Sequence, residues 1–210
     1  IPQMMIEAKA AGVAANGLGR ADWILARGHS FGALGSLIPQ AANWLMRQPA
    51  GRWMLERLVG IHRHRKLPRF SRRPFLRSAA RRLTRPPVHG GDPPAVVYFV
   101  DHFANFHDSE LAQATVAILE HNNIPVHVPP DQAASGMAMV SAGDLEAARR
   151  LARRNLRALV ELAREGHPIL CSEPAAAICL KQEYPMLLDH PDVELLAGQV
   201  VAAHVATFDL

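Results

Sequence analysis

Short apolar runs alternate with helical patterns through residues 95–187, and this alternation constrains the fold more than any other feature of the chain. Each apolar run is bounded by Pro, Asp or Glu, as is typical of a buried parallel strand. Strand and helix in strict alternation predict right-handed crossovers and a small three-layer α/β domain, a parallel sheet of Rossmann-like βαβ units. The predicted strands are AVVYFV (95–100), IPVHVP (124–129) and HPILCSE (167–173). The predicted helices cover residues 108–123, 144–165 and 174–184, with a weaker helix at 192–206.

Charge and composition divide the chain near TRPPVHGGDPPA (84–95), where Pro and Gly indicate an irregular linker. Residues 1–86 carry 16 Lys/Arg against 3 Asp/Glu, whereas residues 87–210 carry 7 against 16. The first part shows the spacing of several short amphipathic helices. We therefore predict an α-helical basic region at 1–86 and an α/β domain at 95–207.

A basic segment at 63–85 ends the first part, with ten Lys/Arg and no acidic residue. It could dock against acidic modules of its own protein, lie on an anionic membrane surface or contact nucleic acid. No recognised nucleic-acid module frames it, so we rank docking first, the membrane second, and expect no nucleic-acid partner. Trp44 and Trp53, in the helices before it, are predicted to pack in a core or against neighbouring helices and not to stack on bases.

Three bulk features bear on location. No apolar run approaches the roughly 18 residues of a membrane-spanning helix. The two cysteines form no disulfide-rich pattern and fit a reducing cytosol. The chain begins at Ile1 without a signal-like segment, so we expect part of a longer cytoplasmic protein, with a peripheral position on the inner membrane face as the alternative.

The loops after the three predicted strands should form the ligand site, because open α/β sheets bind ligands beyond the carboxyl ends of their strands. Asp101, His102, His107 and Asp108 in the loop after the first strand could hold zinc or iron, and Glu173 could join Asp101 and His102 from the loop after the third. The favoured alternative is that Asp108 caps a helix and the histidines are solvated, since no second ligand set is visible. Residues 133–144 are predicted to form a flexible turn and not a phosphate loop.

The same three loops resemble a known family. YFVDHFAN (98–105), AASGMAMVSAGD (133–144) and EPAAAICLKQEYP (173–185) are similar to the motifs YFxGCxxN, CCGxPxxSxGD and CPxC…LKxEYP of the cysteine-rich (CCG) domain. That domain occurs in heterodisulfide reductase, in the iron–sulfur subunits of glycolate oxidase and anaerobic glycerol-3-phosphate dehydrogenase, and in FAD/iron–sulfur fusion dehydrogenases. The shared framework residues are Tyr98, Phe99, Asn105, Gly136, Ser141, Gly143, Asp144, Pro174, Leu180, Lys181, Glu183, Tyr184 and Pro185.

The chain departs from the family at every cysteine position, which here carry His102, Ala134, Ser135, Glu173 and Ala176. Iron–sulfur clusters are commonly held by four thiolates. We therefore expect no iron–sulfur cluster in this chain. We assign it no catalytic, cofactor-binding or metal residue, and the question whether His102 binds a metal stays open. Cys171 is predicted to end a buried strand, and Cys179 to lie on the apolar side of the next helix.

The resemblance implies a fragment of an iron–sulfur electron-transfer oxidoreductase of the FAD-linked 2-hydroxy-acid or glycerol-3-phosphate dehydrogenase type. This degenerate first repeat would act as a scaffold. 4Fe-4S clusters and FAD would lie in the parent protein or complex, in ferredoxin-like, second cysteine-rich and flavin modules. The alternative is a cluster-free interaction module that binds a membrane surface or an acidic partner through residues 63–85.

Overall fold

The structure is a computed structural model that describes residues 2–79, 83–87 and 95–203. Arg81 and Arg82 of the basic segment lie outside these ranges. So does the predicted end of the α/β domain at residue 207.

A parallel four-stranded sheet forms the centre of the second part. Its strands are β1 (Val96–Phe99), β2 (Val126–His127), β3 (Ile169–Cys171) and β4 (Val200–Ala202), in the order β2-β1-β3-β4. The first three confirm the predicted strands. The fourth was not predicted: the helix expected at 192–206 ends at Gln199, and Val200 then pairs in register with Ile169.

Helices connect and cover the strands, and they also make up the first part. The first part contains α1 (Pro2–Asn16), α2 (Arg20–Ala26), α3 (Gly28–Gly35), α4 (Pro39–Leu45), α5 (Pro49–Val59) and α6 (Phe75–Ser78). The second part contains α7 (His102–Phe106), α8 (Ser109–His121), α9 (Met137–Ala142), α10 (Leu145–Arg164), α11 (Pro174–Ile178), a π-helical turn (Cys179–Glu183), α12 (Tyr184–Leu187) and α13 (Pro191–Gln199). None of the described helices combines the length and apolar character needed to cross a bilayer.

Alternate residues of β1 point into two separate cores. Val97 and Phe99 pack with α10, α11, the π-helical turn, α12 and α13. Tyr98 and Val100 pack with α6, α7 and α8 on the other side of the sheet. Because successive side chains of a strand point to opposite faces, both faces of the sheet are covered. The predicted three-layer α/β fold is confirmed.

Helix α10 behaves as its pattern predicts. Asp144 caps its first turn by accepting a hydrogen bond from the Ala147 N–H at 3.2 Å. Its alanine and leucine face is buried against the sheet, while Arg153, Arg154 and Arg157 are exposed. Arg150 is exposed as well, but Arg149 is half-buried and donates a hydrogen bond to the Leu187 carbonyl at 3.2 Å, so four of the five arginines on this side of α10 are solvated.

The helical region packs on the α/β part through its first three helices and through α6, whose Phe75 lies in the core beside Tyr98. Arg27, which links α2 and α3, pairs with Asp144 at 2.7 Å. Lys9 of α1 donates a hydrogen bond to the Ser141 carbonyl at 3.0 Å. Contact is close at Gly143, where a Cβ atom would lie 2.9 Å from the Lys9 backbone.

The helical region has little core of its own. Its buried residues between positions 2 and 60 are small: Ala26, Gly32, Ser36, Pro39 and Gly51. The prediction that Trp44 and Trp53 pack in a core is wrong, because they are 63% and 56% exposed. Helix α5 contacts α2 and α4, but within the described part of the chain neither contact covers the two tryptophan side chains.

Candidate functional site

A cavity of about 250 Å³ lies at the carboxyl ends of the strands. Within the sheet, β2 is the neighbour of β1 on one edge and β3 is its neighbour on the other. The loops after β1 and β3 therefore part here, at the topological switch point where α/β sheets bind ligands. Among the residues that line the cavity are His29, Asp101, His102, Ala134, Ser135 and Glu173.

Asp101 is the anchor of the site. It closely follows β1 and is only 5% exposed. Its Oδ1 accepts hydrogen bonds from the N–H groups of His102 at 2.8 Å and Ser135 at 3.0 Å. The Ser135 hydroxyl donates to Oδ2 at 2.5 Å. One carboxylate thus caps α7 and fixes the loop after β2.

Glu173 brings a second carboxylate from the loop after β3. Its Oε1 accepts a hydrogen bond from the Ala104 N–H at 2.9 Å. Burial raises the pKa of Glu173 to about 7, and the nearby charge of Asp101 contributes to the shift. Ligand atoms of Asp101, His102 and Glu173 all lie within 4.8 Å of one another. The structure thus brings together three of the residues that the sequence proposed as metal ligands.

Two histidines, His29 and His102, line the cavity with these carboxylates, and a third, His107, lies next to His102. His102 is half-buried, which contradicts its interpretation as a solvated loop residue, because helix α7 replaces the predicted loop. His29 of α3 lines the same cavity, and burial and then the neighbouring His102 lower its pKa. The ring of His107 lies 6.0 Å from that of His102, and burial lowers its pKa as well. Asp108 caps α8 as predicted.

A buried polar network holds the wall of the cavity that residues 133–135 form. Asn155 of α10 accepts a hydrogen bond from the Ala133 N–H at 2.6 Å and donates to the Ala134 carbonyl at 3.0 Å. Its amide also donates to the Tyr184 hydroxyl at 2.8 Å. That hydroxyl donates to the Ser135 carbonyl at 2.9 Å. Residues 133–135 are therefore fixed, and α9 follows where a flexible turn was predicted.

The two cysteines lie behind the cavity as structural residues. Both are free and fully buried, Cys171 at the end of β3 and Cys179 at the start of the π-helical turn. Burial raises the pKa of both thiols far above the usual range. Cys179 donates a weak hydrogen bond to the Ser135 carbonyl at 3.4 Å. Both predicted placements are confirmed.

Four of the five positions that the family resemblance marks line the cavity: His102, Ala134, Ser135 and Glu173. Ala176 is fully buried in α11. Sequence reasoning missed His29 and Asn155. The signal for Asn155 was available, because it is a polar residue at an apolar position of the α10 pattern. His29 had no local signal, since it reaches the site only through tertiary packing.

A wider groove of about 1210 Å³ runs between α6 and α8. Its lining mixes Arg72 and Arg73 with Asp108 and Glu110. In the part of the chain that the structure describes, no group of three metal-ligand side chains lies there. The smaller cavity is therefore the candidate site.

Comparison with protein-family models, curated proteins and solved structures gives no match to this chain.

Proposed function

We propose that this chain is a cluster-free scaffold module of an iron–sulfur electron-transfer oxidoreductase, of the FAD-linked 2-hydroxy-acid or glycerol-3-phosphate dehydrogenase type. The proposal rests on the motif resemblance to the cysteine-rich domain. One observation supports it: four positions that would carry cysteines, from three separate loops, line one cavity at the switch point of the sheet. In this chain they offer imidazole, hydroxyl and carboxylate in place of thiolates, so the clusters and FAD belong to partner modules.

The surface of the helical region supports a docking role. Twelve large apolar side chains between residues 2 and 60 are exposed: Met4, Met5, Trp23, Leu25, Leu34, Leu37, Ile38, Trp44, Leu45, Trp53, Met54 and Leu58. Exposed apolar side chains in such number are typical of an interaction surface. Ferredoxin-like, flavin or second cysteine-rich modules are the partners that the proposal assigns to this surface.

Restoring the cysteines tests the proposal directly. We expect a variant with cysteine at 102, 134, 135, 173 and 176 to take up an iron–sulfur cluster on anaerobic reconstitution, with iron, acid-labile sulfide and charge-transfer absorption. The wild-type chain should take up none. A variant with cysteines at five exposed positions away from the cavity (Ala41, Ala50, Gln113, Ala114 and Ala117) controls for adventitious iron. If the restored variant folds but binds no more iron and sulfide than this control, the proposed correspondence is wrong.

A second function, binding to an anionic membrane surface, is favoured by the position of the exposed tryptophans. Trp44 and Trp53 precede the basic segment, whose described Lys/Arg side chains are exposed. Arg63 pairs with Glu56 of α5 at 2.8 Å, which ties the start of that segment to the tryptophan-bearing helix. Aromatic rings beside basic residues suit the headgroup region of an anionic bilayer.

Vesicle sedimentation separates the two functions. The membrane function is favoured if the chain binds phosphatidylserine vesicles at low salt and does not bind neutral vesicles. The double variant Trp44→Ser/Trp53→Ser should then lose this binding. No sedimentation with either vesicle at low salt would exclude it.

A further inference from the structure

We propose that the cavity binds one divalent transition-metal ion through Asp101, His102 and Glu173. The inference goes beyond the scaffold role and is independent of it, because these ligands belong to the chain whichever protein it serves. It concerns a mononuclear site with oxygen and nitrogen donors, and not an iron–sulfur cluster.

The first argument is distance. Ligand atoms of the three side chains lie within 4.8 Å of one another. Around one tetrahedral ion, ligand atoms that are each about 2.1 Å from the metal lie about 3.4 Å apart. The widest pair of the three therefore has to close by up to about 1.4 Å, which rotation of the half-buried His102 and Glu173 side chains towards the fixed Asp101 can supply.

The second argument is the backbone that holds them. Asp101 and His102 closely follow β1, and Glu173 follows β3, the strand paired with β1. The hydrogen bond from the Ala104 N–H to Glu173 ties the two loops together. A site on strand ends is held more precisely than one on a free loop.

The third argument is charge. Two carboxylates face a cavity whose described lining contains no lysine or arginine. Buried carboxylates are normally paired with a cation or bound to a metal. Asp101 accepts three hydrogen bonds and Glu173 accepts one from Ala104, and a carboxylate has about four acceptor positions. Each carboxylate therefore has at least one acceptor position left that can bind a metal ion.

The donor set indicates the class of metal. Imidazole suits zinc and iron, and carboxylate suits manganese and magnesium. The mixture favours a borderline ion such as Zn²⁺, Fe²⁺ or Mn²⁺ over Ca²⁺. His29 lines the same cavity from α3 and is the residue available as a fourth ligand.

Titration of the chelator-treated full chain with Co²⁺ tests the site, because a cobalt ion bound by nitrogen and oxygen ligands absorbs visible light. We expect one equivalent to bind, with absorption that Zn²⁺ abolishes by competition. The variants His102→Gln and Glu173→Gln should each weaken binding by at least about tenfold. Urea unfolding of each variant confirms that it is folded.

Exposed histidines elsewhere provide the matched control. His62 and His64 have ring centroids 5.2 Å apart and are a competing surface site. The double variant His62→Gln/His64→Gln should leave the one-equivalent affinity unchanged. The proposal is overturned if this control abolishes binding, if His102→Gln binds as tightly as the wild type, or if the wild type shows no saturable visible absorption with Co²⁺. The last outcome needs no variant.

Discussion

Replacing Asn155 with alanine should destabilise the folded chain by about 3 kcal/mol, at about 1 kcal/mol for each hydrogen bond lost. The Asn155 side chain has no exposed surface and makes three hydrogen bonds: with the Ala133 N–H, the Ala134 carbonyl and the Tyr184 hydroxyl. Ala133 and Ala134 are partly exposed, so water can replace some of what is lost. A buried donor or acceptor left without a partner costs about 1–3 kcal/mol. Because water can reach two of the three groups here, we use the lower end of that range for each.

The Tyr184→Phe variant should cost less, about 1–2 kcal/mol. It removes the hydroxyl that donates to the Ser135 carbonyl, but that carbonyl still accepts from the Cys179 thiol. It also removes the acceptor for one Asn155 N–H. Because the bond between Asn155 and Tyr184 is lost in either variant, the double variant should fall short of the sum of the two by about 1 kcal/mol.

Urea unfolding followed by circular dichroism, at one pH and with equal m-values, gives the free energies for this cycle. Asn122→Ala is the matched control, because Asn122 is exposed and donates one side-chain hydrogen bond at the end of α8. That control should change stability by no more than about 0.5 kcal/mol. A loss below about 1 kcal/mol for Asn155→Ala, or strictly additive effects, would show that the network does not hold the loop.

Three other places in the fold give further tests. Gly143 and Gly166 both have positive φ, but of the two only Gly143 lies where a Cβ would meet another helix, α1. Gly143→Ala should therefore lower the urea midpoint more than Gly166→Ala. Equal losses would contradict the packing of α1. Burial lowers the pKa of His127, so the folded chain binds a proton at this ring less readily than the unfolded chain does. Stability should fall as the pH drops below about 6.5, where the unfolded chain binds the proton, and should fall less in His127→Asn; urea midpoints at about pH 7.5 and about pH 5 decide this, and equal falls would refute it. Cys171 and Cys179 should resist a thiol-specific disulfide reagent in the folded chain and react in denaturant, and fast reaction without denaturant would contradict their burial.

The strands that the sequence predicted are those with strong local signals. β1 and β3 are apolar runs with polar boundaries, and both lie in the buried centre of the sheet. β4 has only three residues and directly follows a helix, so its pairing with β3 decides its conformation. β2 is shorter still, with two residues, but it lies inside the apolar run at 124–129. β4 continues directly from helix α13 with no boundary residue of its own, which is why it was missed.

The helices that the sequence missed or misjudged are also short. α7 has five residues, and α9 has six and lies between Gly136 and Gly143, both at positive φ. In the sequence these two glycines look like turn signals, but in the structure Gly136 begins α9 and Gly143 ends it. The helix predicted at 174–184 is real, but it widens into a π-helical turn before Tyr184. The next residue, Pro185, has no N–H to continue the helical pattern.

The candidate site shows what local pattern can predict about function and where it fails. Asp101, His102 and Glu173 could be grouped from sequence because each follows a predicted strand, and the ends of parallel strands meet at one edge. Whether such side chains are solvated or half-buried depends on what covers that edge. Here α2 and α3 cover it and bring His29 to the cavity, although these helices show no site motif of their own.

Hydrogen bonds within the chain hold one wall of the cavity. Residues 133–135 are held by Asn155, Tyr184 and Asp101 through hydrogen bonds within the chain. Residues 133–135 are held mainly through their backbone atoms, with one further bond from the Ser135 hydroxyl to Asp101. A change at Ala134 therefore leaves these bonds in place, and a change at Ser135 removes that one. Under the proposed correspondence, loss of thiolates would remove cluster ligands and leave the wall in place. The cysteine-restored variant should therefore bind a cluster while its loop stays intact. Adding Asn155→Ala to that variant should weaken cluster binding, although it removes no cluster ligand.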